Sequence, residues 1–162
     1  MRKIFSIVAT AFAVAAFVAC GGNSAPKLDG TEIVKKDFVL IQPTGWEAVQ
    51  NEDAKVEIHG KDSVATVRIM VEAQADRDYA KELEYYTSDD IYQPVEDFQS
   101  EGFTFKVFKR SQNETCRYIF VAPLTAEKGA LKIFLSDDRL VSDPITRQIA
   151  RDIIANIKPA AK

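Results

Sequence analysis

His59 is the only histidine in the 162-residue sequence, so a relay that draws a proton from a serine or cysteine through an imidazole has to use it. Glu57 and Ser63 lie close by in sequence, and Cys116 could be close in space. The pattern predicts that His59 sits at a hairpin end, directly before Gly60-Lys61-Asp62, where an exposed polar residue is ordinary. No Gly-x-Ser-x-Gly elbow occurs to present a nucleophile. One histidine and one cysteine fall short of the four ligands of a structural zinc site unless carboxylates fill in. No catalytic residue, metal ligand or cofactor is expected, and the chain reads as a non-enzyme.

The acidic stretch holds more. From Glu72 to Glu101 there are ten acidic residues against only Arg77 and Lys81. Oxygen ligands suit Ca²⁺, but the ordered Asp, Asn and Gly of an EF-hand loop are absent. A solvated helix face and loop is the plainer reading. A patch for a basic partner is the sharper one, because tyrosines interleave with the acids and tyrosine anchors interfaces. On that reading the candidate binding residues are Tyr79, Tyr86, Asp89, Asp90, Tyr92 and Glu96, although the same rings could pack on a sheet. The lone Trp46, flanked by Pro43 and Gly45, is read as core in preference to a ligand-stacking ring. With 21 basic residues against 24 acidic ones, there is no cationic excess to suit a nucleic acid.

Met1-Arg2-Lys3 followed by the apolar run Ile4 to Ala19 has the layout of a secretory signal. The run is shorter than the ~20 residues that a membrane-spanning helix needs. Phe17-Val18-Ala19-Cys20-Gly21 resembles a bacterial lipobox, which implies cleavage before Cys20 and lipidation of Cys20 as the new N-terminus. Two or more acyl chains anchor a protein stably where one does not. The resemblance therefore implies a cell-envelope protein held by lipid. Gly21, where Asp would favour retention in the inner membrane, implies the outer membrane, facing the periplasm or the surface. Loss of Arg2 and Lys3 leaves the mature chain more acidic than the −3 of the full sequence. With Cys20 lipidated, Cys116 has no disulfide partner and is read as a small buried residue.

These residues divide the chain into a signal at 1–19, a lipidated cysteine and flexible tether at 20–30, one domain at 31–158 and a tail at 159–162. Gly21 to Pro26 carries no large apolar side chain, as a tether requires. Strands are predicted at Thr31 to Lys35, Phe38 to Gln42, Lys55 to His59, Ser63 to Glu72, Phe103 to Lys109, Thr115 to Ala122 and Leu131 to Leu135. Their short connections demand antiparallel neighbours, since a parallel crossover needs a dozen or more residues. A first helix is expected from Asp76 onward, with Tyr79, Leu83 and Tyr86 on one face. A second is capped by Ser142 or Asp143, starts near Pro144 and shows Ile145, Ile149, Ile153, Ile154 and Ile157 along one side until Pro159 ends it. Pro94 argues against a helix between Ser88 and Ser100.

The order of elements, with the apolar strand Phe38-Val39-Leu40-Ile41 running into Pro43-Thr44-Gly45-Trp46 and Gly102 leading Phe103-Thr104-Phe105, resembles the PsbP-like family of the PsbP/DcrB type, over roughly Thr31 to Lys158. That resemblance implies an α+β fold, a mainly antiparallel sheet flanked by helices on both faces as an α/β/α sandwich. It implies no catalysis. The expectation is a lipid-anchored envelope protein that binds or stabilises a protein partner at the membrane. The alternative is a small ligand or divalent cation held between sheet and helix.

Overall fold

A computed structural model describes residues 25–61, 66–112, 115–125, 128–137 and 144–161. In chain order the elements are β1 (Gly30–Val34), β2 (Phe38–Pro43), β3 (Glu47–Asn51), β4 (Lys55–Lys61), β5 (Thr66–Gln74), α1 (Tyr79–Ser88), β6 (Gln93–Gln99), β7 (Thr104–Gln112), β8 (Thr115–Pro123), β9 (Ala130–Asp137), α2 (Pro144–Ala155) and β10 (Lys158–Pro159). The larger sheet has seven strands in the order β3-β4-β5-β9-β8-β7-β6, and a smaller one has the order β1-β2-β10. Every strand pair is antiparallel. The described residues are thus mainly antiparallel β-structure with two helices.

Alternation along each strand splits the large sheet into two unlike faces. Val56 and Ile58 of β4, Val67, Ile69 and Val71 of β5, Leu131 and Ile133 of β9, and Phe105 and Val107 of β7 all point to one side, where Ile153, Ile154 and Ile157 meet them. The isoleucine stripe lies between this sheet and β2 of the smaller one, so Phe38 and Leu40 close the main core from beyond the helix. On the reverse face Phe108, Ile119 and Val121 form a second, smaller core under Tyr86 of α1. Trp46 is buried in the main core, and a Cβ at Gly60 would overlap its indole ring. The absent side chain at Gly60 is what lets that ring lie against β4.

The structure adds strands that the pattern does not announce. β3 is an edge strand whose residues are exposed or half-buried, so it lacks the apolar signal, and a register shift between Ala48 and Gln50 interrupts its pairing. β6 forms despite Pro94 because it is the opposite edge, where a missing donor costs nothing if it faces solvent. β5 begins at Thr66, and α1 begins at Tyr79, with Asp78 as its cap. At the N-terminal side the chain is docked earlier than a tether ending at Gly30 would allow. The Pro26 carbonyl accepts from Asn156 Nδ2 at 2.8 Å, and Leu28 packs on the main core. Met1 to Cys20, where a signal and lipobox are expected, and Ser142 and Asp143, the expected caps of the second helix, lie outside the described residues. Cys116 lies in β8, with its side chain outside the described set. Among the described residues no helix is long and apolar enough to cross a membrane.

Candidate functional site

α1 crosses the reverse face of the sheet and brings charge into a partly desolvated place. Asp78 caps it, its Oδ1 accepting from the Ala80 amide at 2.9 Å, which satisfies one of the free donors of the first turn. From this start Glu82 and Tyr86, four residues apart, both point at the sheet, and both are buried. Lys132 rises to meet them from β9. Its neighbours Leu131 and Ile133 face α2, so alternation turns Lys132 toward α1.

Lys132 Nζ stands 3.3 Å from Glu82 Oε2, and both side chains are 10% exposed. Arg77 approaches the other oxygen, Oε1, at 3.6 Å, from a largely exposed position. Lys132 Nζ also lies 5.8 Å from the centre of the Phe134 ring. Glu82 and Lys132 form the floor of an open cleft of about 490 Å³, whose walls include Asp76, Arg77, Lys81 and Tyr85. A buried pair of this kind contributes little net stability once desolvation is counted, but leaves a charged, partly dry floor that a polar ligand could engage.

Beside the cleft the tyrosines make an aromatic cluster. Tyr86 stacks on Phe108 with centroids 5.4 Å apart and takes Tyr92 edge-on at 5.0 Å and Tyr85 edge-on at 5.1 Å. Burial pushes the Tyr86 hydroxyl far above its ordinary value, and the nearby Glu82 carboxylate adds to the shift. Tyr92 is raised by burial and then by its hydrogen bond with Tyr85. Tyr79 is raised by burial, with the Lys106 charge opposing. Lys106 is itself raised by its hydrogen bond to Asp97, at 2.7 Å. These phenols stay protonated, so the cluster offers rings and hydroxyls rather than nucleophiles.

The six candidate residues fall into two groups. Tyr79, Tyr86 and Tyr92 come together as packing rings of the smaller core, with Tyr86 fully enclosed. Asp89 ends α1, and its Oδ1 accepts from the Ile91 amide at 3.1 Å, while Asp90 and Glu96 are exposed. The ring that faces outward is another: Tyr85 is 55% exposed, and the aliphatic Ile91 is 45% exposed. Sequence reading passed over Glu82 and Lys132 because they are fifty positions apart. The available signal was a lysine inside the apolar run Leu131-Lys132-Ile133-Phe134.

His59 lies on β4 opposite Arg68, half-buried, with Nε2 2.6 Å from Glu57 Oε1. It is therefore a residue of a strand rather than of a turn, and Ser63 and the side chain of Cys116 lie outside the described residues. Among the described residues no group of three or more His, Cys, Asp or Glu side chains is placed to hold a metal ion.

No family model matches the chain, and no curated protein matches it in sequence. A solved structure from Bacteroides thetaiotaomicron VPI-5482 is similar in fold, with a TM-score of 0.56 and 15% identity over 82% of this chain and 49% of that one. The chain thus spans about half the length of that structure, and the likeness is one of fold alone.

Proposed function

We propose that the protein is a non-enzymatic, lipid-anchored component of the cell envelope, of PsbP-like type, that binds a basic protein partner through the outer surface of α1 and the turn into β6. The observation that carries this reading is that the large apolar side chains of Tyr85 and Ile91 are exposed on the same segment, residues 84–96, that exposes the acids Glu84, Asp90 and Glu96. Tyr85 is held from behind by an edge contact to Tyr86 and a tilted contact to Tyr92, so little side-chain freedom is left to lose on binding. An apolar centre with an acidic rim suits a partner with a basic rim. Supporting the anchor is the lipobox-like Val18-Ala19-Cys20-Gly21, and supporting the family is the Pro43-Thr44-Gly45-Trp46 strand end with a helix on each face of the sheet.

The test is site-specific photo-crosslinking from position 85 in cells, in the native chain and in a Cys20→Ala form. One defined protein should be trapped from the anchored form and lost on charge reversal at Asp90 and Glu96. Trapping that is unchanged by charge reversal removes this surface from the proposal. A second reading, a small polar ligand in the cleft, is favoured by the buried Glu82–Lys132 floor. It predicts that a ligand found by thermal-shift screening loses its stabilising effect in Glu82→Gln, while charge reversal at Asp90 and Glu96 leaves the shift intact.

A further inference from the structure

The smaller sheet turns an apolar side outward. Ile33 of β1 enters the main core, so its neighbours Glu32 and Val34 point the other way, and pairing sets Ile41 and Val39 of β2 beside them. Val39 in turn is opposite Lys158 of β10. Neither Val39 nor Ile41 belongs to a core. Lys158 Nζ reaches across β2 to Glu32 Oε1, at 3.1 Å, so its stem lies over Val39, which is buried. Val34, beyond this bridge, is left 64% exposed. An antiparallel sheet with one wetted face ordinarily places polar side chains there.

Lysines surround that apolar spot. From Val34 the chain turns through Lys35, Lys36 and Asp37 into β2, the Lys35 amide donating to the Phe38 carbonyl at 2.8 Å. Lys36 is exposed, Lys35 is half-buried, and Lys27, next to the docked Pro26, is exposed. No ion pair among the described residues engages any of the three. Glu32 is spent on Lys158, which leaves Asp29 and Asp37 as the acids nearby in sequence. The outer surface of α1 and β6 carries instead an excess of acids, with Glu84, Asp90, Glu96 and Asp97 exposed against Lys81 and Lys106. An anionic lipid surface attracts the first side and repels the second, each lysine near it counting about fivefold in the equilibrium.

Given the lipid anchor proposed for Cys20, on which this reading rests, the tether decides which side meets the bilayer. Pro26, six residues on, is fixed by its carbonyl to Asn156 Nδ2. Six residues span at most about 20 Å. Lys158 of the outer face follows Asn156 by two residues, so the fixed point of the tether adjoins that face. α1 is on the other side of the molecule, past α2 and the larger sheet, roughly 30 Å away at ~10 Å per layer. The short tether therefore holds the smaller sheet near the lipid and α1 away from it.

We infer that the outer face of the smaller sheet, with Val34 and Lys36 at its tip, rests on the anionic headgroups of the bilayer that holds the Cys20 lipid, and so turns α1 outward. Val34 enters the interface while Lys27, Lys35 and Lys36 meet headgroup phosphates, a second signal beside the lipid chains.

The test uses the lipidated protein in vesicles of phosphatidylethanolamine and phosphatidylglycerol, with a headgroup-attached quencher and a genetically encoded fluorophore at position 34, 85 or 117. Quenching should be several-fold stronger at 34 than at 85 or 117, and should fall at 34 in phosphatidylcholine vesicles or at high salt. Lys35→Gln/Lys36→Gln should lower the ratio of docked to undocked domain at least about fivefold, whereas Arg117→Gln should change it less than about twofold. Equal quenching at 34 and 85 overturns the inference, as does stronger quenching at 117 than at 34, or no loss in the lysine variant. Crosslinking of the partner from position 85 should survive the lysine variant, so the two surfaces fail separately. Protein that does not float with the vesicles overturns the anchor and this orientation together, whereas floating protein with no quenching at 34 overturns the orientation alone.

Discussion

Replacing Glu82 and Lys132 singly and together tests the account of the α1 face most directly. At 3.3 Å the attraction between the two charges is about 5 kcal/mol gross if the local medium has an effective dielectric constant near 20. Removing both ions from water costs several kcal/mol each, so the pair should sit near zero net. Breaking it is different, because one ion then remains in a place shaped for two. Lys132→Met leaves the Glu82 carboxylate with only the exposed Arg77, and should cost about 2 kcal/mol. Glu82→Leu leaves an ammonium with the Phe134 ring and the cross-strand Glu72, and should cost about 2–3 kcal/mol. The double variant should lie within about 1 kcal/mol of the native protein, a coupling of about 4–5 kcal/mol. Urea unfolding followed by the fluorescence of Trp46, the sole tryptophan and a buried one, reads each value. A double variant as unstable as the sum of the singles would refute the reasoning, since the two residues would then act independently.

Other expectations are simpler. Tyr86 has a native pKa raised above the 10.0 of the unfolded chain, so its contribution is complete below about pH 10 and is lost as pH rises from there through the native value. Stability should fall there by up to ~1.4 kcal/mol per pH unit, and Tyr86→Phe should flatten that slope in urea titrations; an unchanged slope would mean that other groups set it. Gly60→Ala should cost about 1–3 kcal/mol and shift the Trp46 emission, because the new methyl overlaps the indole. Ile153→Ala, at a fully enclosed position, should cost about 2–5 kcal/mol in the same assay, whereas Ile145→Ala, 73% exposed, should stay within ~0.5 kcal/mol. Asn156→Ala should cost about 1 kcal/mol and speed amide exchange near Pro26, since one side-chain amide bonds both the Pro26 and the Asp152 carbonyls.

What the sequence determined by itself is the set of elements whose burial is written locally. β2, β4, β5, β7, β8 and β9 carry β-branched and aromatic runs, and α2 carries an isoleucine stripe, so each could be found from its own residues. Short connections between them made the sheet antiparallel. The edge strands of the larger sheet escaped because half of their backbone and most of their side chains face solvent: β3 has no apolar run, and in β6 Pro94 conceals the pairing. The candidate site was only partly legible for a related reason. Tyrosines and acids on one segment marked a surface, but which rings turn in and which turn out depends on the sheet that α1 lands on. Tyr86 meets Phe108 and is enclosed, and Tyr85, one residue away, is left outside. The meeting of Glu82 with Lys132, and the placing of Val34 and Lys158 on one outer face, are settled by strand order and register. Those are properties of pairing between distant segments, and a shift of one residue in any strand would send its side chain to the other face.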